Sequence, residues 1–128
     1  MLFHYQVREY FLYSDSVDMR RGIDGLVGIV YNELEKDPLR GDLFIFINRS
    51  RRKIKMLHWQ EDGFAIFYKR LEKGTYEIPT EEKTSKSFSI NAEKLLFILQ
   101  GVKLKSVEKR TRYSTEASAK VGYSLSVV

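Results

Sequence analysis

Residues 43–47 read LFIFI, five large apolar side chains in consecutive positions. Successive side chains of an extended strand point to opposite faces, so this run is apolar on both. A strand of that kind belongs at the centre of a sheet with a covering layer on each side. The rest of the chain must therefore supply flanking strands and the elements that cover them.

Candidates for both lie on either side. IKMLHWQ (54–60) and FAIFYKRLE (64–72) alternate less regularly, as partly exposed neighbours do, and Glu61-Asp62-Gly63 joins them as a tight hairpin. Gly74 closes the second of these strands, and Asn48 to Lys53 form the other hairpin tip. EYFLY (9–13) is a short aromatic strand. Asp18 is placed to cap a helix beginning near Met19, in which Ile23, Leu26, Val27, Val30, Tyr31 and Leu34 form one apolar stripe. Pro38 disfavours helical geometry at Asp37, so the helix ends before it, and DPLRGD turns the chain with Gly41 at positive φ. After Pro79, TEEKTSKS reads as a polar linker. INAEKLLFILQG reads as a second helix, capped by Asn91 and ended by Gly101.

These elements predict an α+β fold: a small, mainly antiparallel sheet of three to five strands, one long amphipathic helix and a second, C-terminal helix. A length of 128 residues fits one domain. Residues 1–79 form its α+β core, and residues 80–128 add the linker, the second helix and a basic, mobile tail.

Function is bounded first by what the chain lacks. It has no cysteine, which excludes disulfides, thiolate metal sites and cysteine nucleophiles and fits a cytoplasmic setting. The N-terminal MLFHYQVREYFLY has neither the basic start nor the apolar run of a signal or membrane anchor, and no basic amphipathic helix points to a membrane surface. Asp15, Asp18, Asp24, Asp42, Glu61 and Asp62 would be the carboxylates of a metal-dependent nuclease, but most have turn or capping roles. His4 and His58 share no metal-ligand spacing, and neither a phosphate-binding glycine loop nor a nucleophile elbow is present. The residues suggest no catalytic centre, metal or cofactor.

Charge is more informative. The net charge is +5, but residues 14–47 hold four Lys/Arg against seven Asp/Glu, whereas residues 48–60 hold five against none. Those five are Arg49, Arg51, Arg52, Lys53 and Lys55, on and beside a hairpin tip. Charged residues often keep an edge soluble, but a merely solvated tip usually mixes both signs. Cations gathered without counter-charges suit a polyanion, DNA first and an acidic protein surface second. Lys69, Arg70 and Lys73 extend the patch if they share its face, and Trp59, Phe64, Phe67 and Tyr68 are core aromatics or base-stacking ones.

Gly22, Gly25 and Gly28 add a second surface. Each glycine costs a helix about 1 kcal/mol relative to alanine. On a helical wheel Gly25 and Gly28 lie opposite the stripe, with Ile29 the apolar side chain beside them and Gly22. A bare helix back of this kind invites close approach by another backbone: the C-terminal segment, a second copy of the chain or a partner protein.

DMRRGIDGL, DPLRGDLFIFIN and DGFAIFYKRLEKGTY, within residues 9–79, closely resemble the TnpB accessory proteins of insertion-sequence-sixty-six-type bacterial transposons, which are distinct from the RNA-guided nuclease of the same name. The resemblance implies a part in DNA transposition beside a separate DDE-type transposase that cuts and joins DNA. It transfers no catalytic residue. It places Arg20, Arg21, Asn48, Arg49, Arg51, Lys55, Lys69 and Arg70 in signature motifs, while their assignment to DNA rests on charge. The expectation is a non-enzymatic accessory protein that binds DNA, at transposon ends, through Arg49, Arg51, Arg52, Lys53, Lys55, Lys69 and Arg70. Gly22, Gly25, Gly28 and Ile29 would dock the transposase or another copy. The alternative is an adaptor whose basic hairpin meets an acidic surface of the transposase.

Overall fold

In the computed structural model of the chain, residues 6–78 and 85–100 are described. The elements run β1 (Tyr10–Tyr13), α1 (Ile23–Asn32), β2 (Leu43–Ile47), β3 (Lys53–Trp59), β4 (Phe64–Arg70), β5 (Ser87–Ile90) and α2 (Ala92–Leu99). The strands form a single sheet in the order β4-β3-β2-β1-β5, so the all-apolar β2 is its middle strand. All five β2 side chains are buried. Each is stabilised by roughly 1.5–3 kcal/mol relative to exposure.

The fold is α+β with a mixed sheet. β1 and β2 are parallel, as the intervening helix α1 allows, with Phe11 opposite Phe44. β2–β3, β3–β4 and β1–β5 are antiparallel. The alternation of β2 divides the core between the two faces. Phe44 and Phe46 pack with Phe11, Leu57 and the α1 residues Leu26, Ile29 and Val30. Leu43, Ile45 and Ile47 pack with Leu12, Ile54, Met56, Tyr76 and the α2 residues Leu95, Ile98 and Leu99. The covering layers required by LFIFI are thus one helix on each side.

Three expectations are corrected. First, α1 spans ten residues and begins at Ile23 rather than near Met19. Asp18 does not cap it; its carboxylate accepts from the Arg20 amide at 2.8 Å and the Arg20 guanidinium at 2.7 Å, closing a separate turn. The Met19 and Arg21 carbonyls accept from the Lys55 ammonium at 2.7 and 2.8 Å, which occupies them outside the helix. Gly22 takes the cap position in extended conformation, without a side-chain cap. Second, the buried face of α1 carries Leu26, Ile29 and Val30, while Ile23 and Tyr31 are exposed. The apolar stripe is therefore rotated by roughly 70° from the expected one, toward Ile29. Third, residues 87–90 form the edge strand β5, paired with β1 from Tyr10–Ile90 to Tyr13–Ser87, where no strand was expected.

Other local expectations hold. Gly41 has φ 83°. The Asn91 side chain caps α2 by accepting from the Lys94 amide at 2.7 Å. Pro79, Gly101 and the basic tail lie outside the described residues.

Candidate functional site

The β2–β3 hairpin tip is built around Asn48. Its side-chain oxygen accepts from the amides of Arg52 and Lys53, each at 3.0 Å. Its backbone carbonyl accepts from the Arg51 amide at 3.0 Å, and its amide donates to the Lys53 carbonyl at 3.1 Å. The chain leaving β4 folds back on the same tip: the Leu71 amide donates to the Arg52 carbonyl at 2.7 Å and the Tyr76 amide to the Arg51 carbonyl at 2.6 Å. Tyr76 is itself buried, and burial pushes its phenol up to about 12. The tip is held from both ends, so its side chains project from a fixed backbone.

One residue there is conformationally costly. Arg51 sits at φ 60°, in the left-handed region that disfavours any side chain with a Cβ. Glycine is the ordinary solution to such a position. The chain instead places a long cation there.

The expected DNA-binding residues separate into distinct groups. Arg49, Arg51, Arg52, Lys53 and Lys55 make no ion pair with a carboxylate among the described residues. The Arg52 guanidinium donates to the carbonyls of Leu71 at 3.5 Å and Glu72 at 3.3 Å. Lys55 serves the approach to α1, as described above, and its ammonium stands over the Tyr68 ring, 5.2 Å from the centroid. Lys69 and Arg70 do not share a face. Lys69 lies opposite Ile54 and donates to the Leu99 carbonyl at 3.0 Å, so it fastens the end of α2. Arg70 lies opposite Lys53 on the α1 side and pairs with Glu72 at 2.8 Å; the guanidinium holds the Glu72 carboxyl low. Arg49, Arg51 and Lys53 are left as the tip cations whose side chains make no hydrogen bond or ion pair among the described residues.

The aromatic candidates also separate. Trp59 and Phe64 pack edge to face at 4.9 Å, and Phe67 packs against the core on the α2 side. Tyr68, by contrast, is 50% exposed.

The helix glycines line a cavity of about 460 Å³ between α1 and the chain leaving β1. Gly25 and Gly28 face it together with buried Tyr13, Val17 and Ile29, and the exposed Arg21, Asp24 and Glu33 charge its margin. Ile29 is 6% exposed, so it belongs to the core and not to an open helix back. Gly22 is not part of the lining. A Cβ on Gly28 would meet nothing within 4 Å, and one on Gly25 would meet only the Arg21 side chain. The Tyr13 phenol titrates high, mainly through burial and then through the carboxylates of Asp15 and Glu33. The groove is therefore bare at Gly28, covered by the Arg21 side chain at Gly25, and edged by two carboxylates and one guanidinium.

Sequence reasoning missed a buried polar cluster beneath the β2–β3 pair. His58, expected to be partly buried or at the surface, is 1% exposed. Its Nε2 is 3.2 Å from the Gly41 carbonyl and its Nδ1 is 3.3 Å from the Gln60 side-chain nitrogen. The neutral ring with its proton on Nε2 satisfies both contacts. Asp42, next to Gly41 in sequence, is buried and accepts from Arg8 at 3.2 Å. The signal was present: His58 falls in step with Ile54 and Met56 on one face of β3. Among the described residues, no three His, Asp or Glu side chains gather in a metal-holding group, and no helix is long and apolar enough to cross a membrane.

Two proteins of Sinorhizobium fredii strain NGR234 are similar: the uncharacterized protein y4jC, 35% identical over 66 residues, and the uncharacterized protein y4hO, 33% identical over 85 residues. The first alignment covers 52% of this chain and 56% of y4jC, little more than half of that relative; the second covers 66% of this chain and 72% of y4hO. No solved structure matches. The model of the IS66 Orf2-like protein family matches residues 8–109, beyond the 9–79 span of the recognised motifs and across β5 and α2. The chain belongs to the IS66 Orf2-like family, the accessory proteins of IS66-type transposons.

Proposed function

We propose that this protein is a non-enzymatic accessory factor for DNA transposition that grips DNA phosphates with the β2–β3 tip and meets its DDE-type transposase through the glycine-lined groove. The observation that carries the reading is the absence of any carboxylate partner, among the described residues, for Arg49, Arg51 and Lys53 on a fixed tip. Cations crowded this way repel one another in the free protein, and a polyanion relieves that repulsion. Arginine's planar fork suits phosphate oxygens. The margin of the groove sets Asp24 and Glu33 against Arg21, a mixed-charge rim that suits a protein segment better than a run of phosphates. Its bare wall at Gly28 admits a backbone at close range, and the Arg21 side chain lies over Gly25.

Two variants test the halves separately. Replacing Arg49, Arg51 and Lys53 with alanine is expected to abolish retardation of transposon-end duplex at physiological salt while leaving transposase capture intact. Gly28→Leu fills the groove, where a Cβ meets nothing, and is expected to keep DNA binding and lose capture. A tip variant that keeps DNA binding but loses capture would instead make the tip a contact for an acidic surface of the transposase. Capture of a second copy in place of the transposase would make the groove a self-association surface.

A further inference from the structure

We infer that Tyr68 is a base-stacking residue, and that the surface it shares with the tip takes an unpaired stretch of DNA rather than an intact duplex alone. The inference rests on the tip being a DNA grip and adds the chemical state of the DNA it holds. Tyr68 is half exposed on the α1 face of β4. Strand register sets it opposite Lys55, and sets its same-face neighbour Arg70 opposite Lys53. Along the strand, Arg70 is about 7 Å from Tyr68, and Lys53 is about 5 Å from Arg70 across the ladder. One ring thus stands at the margin of the tip cations on the same sheet face.

The ring is also oriented. The Lys55 ammonium stands over it at 5.2 Å, and that ammonium is itself fixed by the Met19 and Arg21 carbonyls at 2.7 and 2.8 Å. No other aromatic of the β3–β4 pair is comparably open: Phe67 lies against the core, and Trp59 and Phe64 cover each other. On this face Lys53 makes no side-chain hydrogen bond or ion pair among the described residues, while Arg70 is paired with Glu72 and Lys55 with two carbonyls. An exposed ring near a free cation is the pairing that single-strand binders use, phosphate on the cation and a base on the ring. Bases inside a duplex already stack on their neighbours, so only an unpaired or extruded base reaches such a ring.

The test compares three probes on the full chain by fluorescence anisotropy at one salt concentration: a labelled oligothymidylate, an abasic oligonucleotide of equal length, and a duplex. Expected is a roughly tenfold preference of the wild type for oligothymidylate over the abasic strand, which keeps the phosphates but offers no base. Tyr68→Leu is expected to erase that preference without changing duplex affinity, and Tyr68→Phe to restore it. Thermal melts of both variants establish that they are folded. If the wild type binds duplex but shows no preference between the two strands, stacking is overturned and the tip reading survives. Equal losses on all three probes in Tyr68→Leu also overturn stacking, since the ring would then act only through Lys55. Failure of the wild type to bind any probe would defeat the tip reading and this inference together.

Discussion

Arg51 carries the clearest conflict between local stability and use. Its φ of 60° strains an arginine backbone by about 1 kcal/mol relative to glycine. Arg51→Gly is therefore expected to raise unfolding stability by about that amount in urea denaturation while weakening DNA binding. A variant that is less stable would mean that the arginine side chain contributes to the fold. His58 poses a different conflict, because burial lowers its pKa below the ordinary 6.5, against the opposing pull of the Gly41 and Gln6 carbonyls and Asp42. Below about pH 6.5 the unfolded chain takes up a proton that the folded chain refuses. This contribution to stability is complete above that value and drains as pH falls through it toward the lower folded pKa. Denaturation between pH 7 and pH 5 should show a loss of up to about 1.4 kcal/mol per pH unit from this group, and His58→Leu should flatten the profile. An unchanged profile in the variant would place the acid sensitivity elsewhere. The tip cations were legible in the sequence because charge composition needs no tertiary information. The depth of His58 was less so, because alternation names a face but not how far a neighbouring turn covers it.

At the scale of elements, the same distinction explains where the reading failed. LFIFI and the two hairpins announced β2, β3 and β4 because each side chain's burial follows from its own strand's periodicity. The start of α1 did not follow from its own segment, since Lys55, thirty-odd residues away, holds the Met19 and Arg21 carbonyls. β5 was hidden for a related reason: SFSI is short and half polar, and it becomes a strand by pairing with β1. Lys55→Met tests the first point. Removing a charged donor from two carbonyls is expected to cost about 1–3 kcal/mol. Hydrogen exchange at the Leu26 amide, which bonds to the Gly22 carbonyl, should accelerate beyond the change in global stability. Exchange that tracks global stability alone would show that α1 starts where it does without Lys55.

Across the whole molecule, two surfaces differ in charge. One end of the β2–β3–β4 meander carries Arg49, Arg51 and Lys53; the α1 groove carries Asp24 and Glu33 against Arg21. The sequence announced the charge difference through its acidic 14–47 and basic 48–60 stretches; of the four residues it offered for docking, Gly25, Gly28 and Ile29 line the groove and Gly22 does not. A protein with this polarity suits a bridge between a polyanion and a protein partner. The most direct measurement is the salt dependence of duplex affinity, compared between the wild type and the variant with alanine at positions 49, 51 and 53. If those cations each displace one counterion from a phosphate, the variant's log–log slope will be shallower by about 2.7. Parallel slopes for the two proteins would contradict the account, because they would mean that the uncompensated tip never meets the phosphates.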